Sequence, residues 1–399
     1  MNLRPSRAAL ATAAFSLSLG FGAITASAQL ALSANDGKQP RLNELPADVT
    51  PDTVAVIDLS HYPPKVVGTV PVPLSMIGPP TSVAVAHDER FALVTAAQKF
   101  DPADRTKFVL DDTVSVIDLA DPTRPVVLQT LRAGAGASGV SINRAGTLAL
   151  VASTGEGTVT VFSIAGKTVS RVGQVQLDPV PGPVDVAISP DGATALVTQR
   201  RGTGLWRLAI NGTAVTNTGI IIATGGQPYG SVFSHDGRFA YNTNLQGRLV
   251  ADGAAGARAS GPRIGTITAI DLATNTVAST TEVGPTPEHV TLSPDGRYLQ
   301  VTLINGTTAS ATSASYNAFG LIKIYRVAGA ALTLVAEAKT GAWGQGATWS
   351  DDGRVILLQG ADAKEIEVYR FDGTTLTRDA AATLRFAGRP GAIATARSR

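Results

Sequence analysis

The chain has 399 residues, with 33 Lys and Arg set against 31 Asp and Glu, and no cysteine. The lack of cysteine excludes disulfides, iron–sulfur ligation and thiolate catalysis. The balanced charge, without a long basic run, leaves no electrostatic footprint for general nucleic-acid binding.

Residues 1–28 read as a secretory signal peptide. Arg4 and Arg7 open it, an apolar stretch runs from Ala8 to Ile24, and Ala26-Ser27-Ala28 supplies the small-residue cleavage site before Gln29. No later segment is long and apolar enough to cross a bilayer. The expectation is cleavage between Ala28 and Gln29, a periplasmic or secreted product, and no membrane span. Beyond residue 28 the chain is formally neutral.

From there one unit recurs. "PTSVAVAHDERFALVT", "ASGVSINRAGTLALVA", "GPVDVAISPDGATALVT", "QPYGSVFSHDGRFAYNT", "PEHVTLSPDGRYLQVT" and "GQGATWSDDGRVILLQ" each hold an apolar-alternating run, a tight turn and a second run. The turn glycine falls at Glu89, Gly146, Gly192, Gly237, Gly296 and Gly353, at spacings of 57, 46, 45, 59 and 57 residues, close to the period of propeller blades. A third run recurs seven times, from "DTVAVIDLS" through "GTITAIDLA" to "KEIEVYRFD". Its alternation is that of strands with one face buried. With a shorter fourth strand of the "KVVGTVPV" type, each unit is a four-stranded antiparallel sheet (strands a to d).

Seven such sheets predict an all-β, seven-bladed β-propeller in one domain over 29–399. The C-terminal "RPGAIATARSR" holds a strand a only, and "QLALSANDGK" resembles a strand b. The last blade is therefore split between about 29–75 and 389–399, and pairing of the N- and C-terminal strands closes the ring.

The phrase "PEHVTLSPDGRYLQVTLIN" followed by "GTITAIDLATNTV" resembles the units of YVTN-repeat propellers, with "ALVTQ" or "ALVAS" in place of the literal motif. The chain is also similar, more loosely, to lactonase-type seven-bladed propellers. The resemblance implies the fold; function has to be argued from a site.

The b-to-c loops share one face with the d-to-a loops. Four of them are long: "NDGKQPRLNELPADVTPD", "AAQKFDPADRTKFVLDD", "TNLQGRLVADGAAGARASGPRIG" and "LINGTTASATSASYNAFG". Converging loops on a rigid scaffold mark this face for binding. The expected mouth holds Asp185, Tyr229, Glu288, His289, Trp343 and Gln345 at the starts of strands a. Gln199, Arg200, Arg201, Asn242, Asn244, Asn305 and Gln359 stand at the ends of strands b. Amides with two aromatics suit a polar, hydroxyl-rich or carboxylate ligand.

Glu288-His289 is the acid–base candidate, with the alternative that His289 caps a strand and Glu288 is a rim charge. His87 and His235 replace the proline of "SPDG" turns and belong to the opposite face, as does His61. Arg200 or Arg201 is placed to grip an anion. "GAGASG" at 134–139 precedes a strand and opens no helix, so it is not a dinucleotide fingerprint. The carboxylates of "DPAD" and "LDD" lack a calcium-loop pattern. No metal or cofactor is expected.

Two readings stand ahead of a third. The first is a non-enzymatic exported propeller that binds a small polar molecule or a periplasmic protein. The second is a lactone hydrolase in which Glu288 or His289 activates water and Arg200 or Arg201 stabilises the oxyanion. The third is an accessory subunit of a periplasmic dehydrogenase.

Overall fold

The computed structural model describes residue 1 and residues 29–38, 49–76, 78–177, 182–246 and 264–396. The signal-peptide reading lies outside these residues, as do most of the long loops of 35–52 and 243–265. Among the described residues, no helix is long and apolar enough to cross a membrane.

Seven antiparallel sheets stand in a ring. Their inner strands a are Val83–Val85, Ala137–Ile142, Pro183–Ile188, Pro228–Phe233, Pro287–Leu292, Gly344–Trp349 and Arg389–Thr395, in blades 1 to 7. Blade 7 is the split one. Leu30–Asp36 pairs antiparallel with the C-terminal Arg389–Thr395 on one side, Leu32 opposite Ala394, and with Thr53–Asp58 on the other. Blade 6 departs from the four-strand plan. Its outer strand is broken into Leu376–Arg378 and Leu384–Arg385 by a 3-10 turn at Ala380–Ala382, because the Asp379 side chain accepts from the Ala381 and Ala382 N–H groups.

The core is a series of layers between blades. Strand Leu148–Ser153 is buried along its whole length, whereas the outer Thr168–Gln176 is mostly exposed. Phe91, Leu93 and Val116 of blade 1 pack against Val140, Val151 and Phe162 of blade 2. Inner strands are covered by a blade on either side, so polar and apolar residues alike are buried along them, as in Pro183–Ile188 and Pro287–Leu292.

The turns explain the "SPDG" phrase. In blade 3 the Ser189 hydroxyl donates to Asp191 Oδ1 and accepts from the Thr194 N–H at 3.0 Å, while Asp191 Oδ1 accepts from the Ala193 N–H at 3.0 Å. Blades 4, 5 and 6 repeat the Ser–Asp contact. The fourth turn position is left-handed, with φ of 67 to 72° at the five glycines and 57° at Glu89. Glu89 thus keeps the glycine's backbone at a strain cost, and its Oε1 accepts from the Leu30 N–H at 3.1 Å, linking blade 1 to the split blade.

Candidate functional site

The d-to-a loops deliver their residues through a second left-handed position. Ten residues before each turn glycine stand Gly136, Gly182, Gln227, Thr286 and Trp343, with φ between 53 and 77°. Thr286 and Trp343 pay for a conformation that blades 2 and 3 reach with glycine. The residues that follow are buried at the long-loop end of the channel: Thr81, Ser138, Val184, Tyr229, Glu288 and Gln345.

Three of the expected site residues meet there. The Tyr229 phenol of blade 4 and the Glu288 carboxyl of blade 5 lie within electrostatic reach of each other, and the exposed Arg200 of blade 3 lies with its guanidinium carbon 5.3 Å from the Tyr229 ring centroid. Glu288 is 7% exposed. Burial pushes its carboxyl up to about 7, against the Arg200 charge and the Tyr229 phenol, which both pull it down. Burial and then the Glu288 charge hold the Tyr229 phenol well above its usual range, so it stays a donor. Val184 and Leu245 pack around Tyr229.

Glu288 and His289 part company. Glu288 turns to blade 4, whereas His289 Nδ1 accepts from the Ala347 N–H of blade 6 at 3.1 Å. Asp185 occupies the same repeat position in blade 3, seven residues before the turn glycine. Its Oδ2 accepts from the Ser231 N–H of blade 4 at 2.9 Å. Both are therefore ties between neighbouring inner strands, satisfying buried backbone donors. In blade 2 that position is Gly139, where an added Cβ would lie 2.8 Å from Asp185 Cα and Val184 O. The approach of blade 3 leaves no space for a side chain.

Most amides are likewise engaged within the scaffold. Asn242 donates to Asn244 Oδ1 at 2.9 Å, and Asn244 to Thr268 Oγ1 at 2.6 Å. Gln359 donates to Ala392 O of blade 7 at 2.8 Å, and Asn305, itself at φ 55°, donates to Phe319 O at 3.0 Å. Gln345, with its amide turned to satisfy both ends, accepts from Trp343 Nε1 and donates to Gly391 O at 3.2 Å. Gln199 is buried beside Arg200, and Arg201 is exposed. Trp343 is buried with Ile304 and Ala361 and carries the Arg389 guanidinium 4.6 Å from its ring centroid. Sequence reasoning missed Arg389, whose Nη2 donates to Asp36 Oδ2 at 3.0 Å, both residues 3% exposed. An arginine opening the terminal strand was the available signal.

Among the described residues no group of three or more His, Cys, Asp and Glu is placed to hold a metal ion. The chain is similar to solved seven-bladed propellers. A proposed 6-phosphogluconolactonase from Bacteroides uniformis superposes with a TM-score of 0.67 at 16% identity, over 92% of this chain and 99% of that one. A second, from Bacteroides fragilis, gives 0.65 at 17% identity, over 93% and 99%. The Pseudomonas aeruginosa periplasmic gluconolactonase PpgL gives 0.64 at 17%, over 93% and 100%. Likeness at this identity shows the fold. No protein-family model and no curated protein sequence matches the chain.

Proposed function

We propose that the chain is an exported lactone hydrolase whose reaction runs at the Tyr229–Glu288–Arg200 cluster. The observation that carries this reading is the Glu288 carboxyl, raised to about 7 by burial and held between a phenol donor and a cation. A base poised near the working pH combines the right protonation state with useful proton affinity. Glu288 takes a proton from water as the water oxygen bonds to the lactone carbonyl carbon. Arg200 faces the oxyanion that develops, and Tyr229 fixes the carboxylate by donating to it. When the ring C–O bond breaks, the proton passes from Glu288 to the departing alkoxide, leaving a hydroxy acid. The likeness to a gluconolactonase and to proposed 6-phosphogluconolactonases supports sugar lactones as the class to try first.

The test is pH-stat hydrolysis of sugar and aromatic lactones by the purified chain. Glu288→Gln is expected to lower kcat/KM by about 100-fold or more, and wild-type kcat/KM should rise with pH through about 7. His289→Ala should act on stability rather than rate. No turnover above buffer on any lactone, or full turnover in Glu288→Gln, overturns the proposal. A second reading, a binding propeller without catalysis, is favoured by the burial of Tyr229 and Trp343 at the mouth. It would then be tested by ligand titration on the same face.

A further inference from the structure

The other end of the channel holds a cavity of about 310 Å³, a funnel framed by the a-to-b turns. Its wall mixes apolar side chains, Val85, Ile188 and Phe233 among them, with the polar Ser141, Asn143 and Thr395. Its rim is set by the second position of the turn, where the repeat phrase carries proline. Blades 3 and 5 keep it as Pro190 and Pro294, but blade 1 has His87, blade 2 Arg144 and blade 4 His235, and all five line the funnel.

Of the four blades without proline at this position, three carry nitrogen-bearing side chains around the same opening and blade 6 carries Asp351. Proline suits this position because it fixes the backbone of the turn, so its replacement three times by nitrogen-bearing side chains is not explained by turn stability. No hydrogen bond or ion pair occupies Arg144, His87 or His235 among the described residues. Among the described residues no carboxylate lines the funnel. The turn aspartates Asp191, Asp236 and Asp295 are engaged with their own serines. Asp351, at the rim position in blade 6, is exposed and does not line the cavity.

We propose that this funnel is a second ligand site, for a small anion with an apolar body, such as an aromatic or alicyclic carboxylate. Its volume matches ordinary small-molecule pockets, which join apolar walls to a few polar groups that fix orientation. Arg144 carries a permanent charge and a forked set of donors for a carboxylate. His87 and His235 each offer a ring N–H in either protonation state. The apolar body would cover Phe233 and Ile188. This site shares no residue with the Glu288 cluster and stands whether or not that cluster is catalytic.

The test is calorimetric titration of the full chain with naphthoate and with its neutral amide, naphthamide. One naphthoate site per chain is expected, with naphthamide bound at least about ten-fold more weakly. Arg144→Ala should weaken naphthoate by about ten-fold, as loss of a charge-assisted hydrogen bond does, and leave naphthamide unchanged. Val85→Trp, which fills the wall, should abolish binding of both; its melting temperature reports folding, and the exposed Arg144→Ala keeps the test valid if Val85→Trp fails to fold. Glu288→Gln should bind as wild type. The proposal is overturned by absence of naphthoate binding at millimolar concentration. It is equally overturned by binding that Arg144→Ala leaves intact, or that Glu288→Gln removes.

Discussion

The two ends of one channel are built from the same repeat and have opposite characters. At the long-loop end many charged and polar groups are buried and engaged, Glu288 with Tyr229, Asp185 and His289 with the next blade's backbone, Arg389 with Asp36, while Arg200 and Arg201 are exposed. At the turn end Arg144, His87 and His235 stand at the rim of an open funnel. The difference follows from where each end finds its hydrogen bonds. The "SPDG" turns satisfy themselves through their own Ser and Asp, which frees the second position to face the channel. The strand starts have no such local partners, so their side chains must close contacts between blades.

The contrast can be broken by measurement, beginning with the largest effect on stability. Arg389→Ala leaves buried Asp36 with Lys38 as its remaining cation, 2.8 Å away, and should cost about 3 kcal/mol in chemical denaturation, because it also opens the seam between the two termini. Arg144→Ala, at the other end, should stay within about 0.5 kcal/mol of wild type. Equal costs would remove the distinction between the two ends.

Next comes pH. The Glu288 carboxyl is higher in the folded than in the unfolded chain, so the native state holds a proton that the unfolded state releases between about 4.5 and 7. This contribution to stability is full below the lower value and is lost as pH rises through the upper one. The loss should be about 3 kcal/mol, and Glu288→Gln should flatten that part of the stability–pH curve. An unchanged curve would mean that Glu288 is solvated.

A smaller effect is expected from Gly139→Ala. Its methyl would meet the backbone of blade 3, and overpacking of this kind costs about 1–3 kcal/mol. A neutral outcome would show that blades 2 and 3 can slide apart without loss.

The repeat made the architecture legible. Spacing of the turn glycines set the blades, alternation set the strands, and the truncated units at the two ends foretold the pairing of Leu30–Asp36 with Arg389–Thr395. Even Glu89, which breaks the phrase, keeps the left-handed turn of the glycine it replaces. The site was legible only as a set of positions. Adjacent residues such as Glu288 and His289 look like a pair in one dimension, yet the strand is irregular between Pro287 and His289 and sends them to different blades.

The sequence by itself determined the ring, its seven sheets, its closure and the end at which each loop lies, because these depend on local periodicity and turn chemistry repeated many times. The tertiary structure alone decided which side chains meet. Glu288 finds Tyr229 and Arg200 across two blade boundaries, His289 becomes a tie, and His87, Arg144 and His235 gather at one rim. Those meetings join residues from 29 positions apart (Arg200 and Tyr229) to 91 (Arg144 and His235), at contacts where each blade's side-chain directions are fixed by its neighbours' packing rather than by its own repeat.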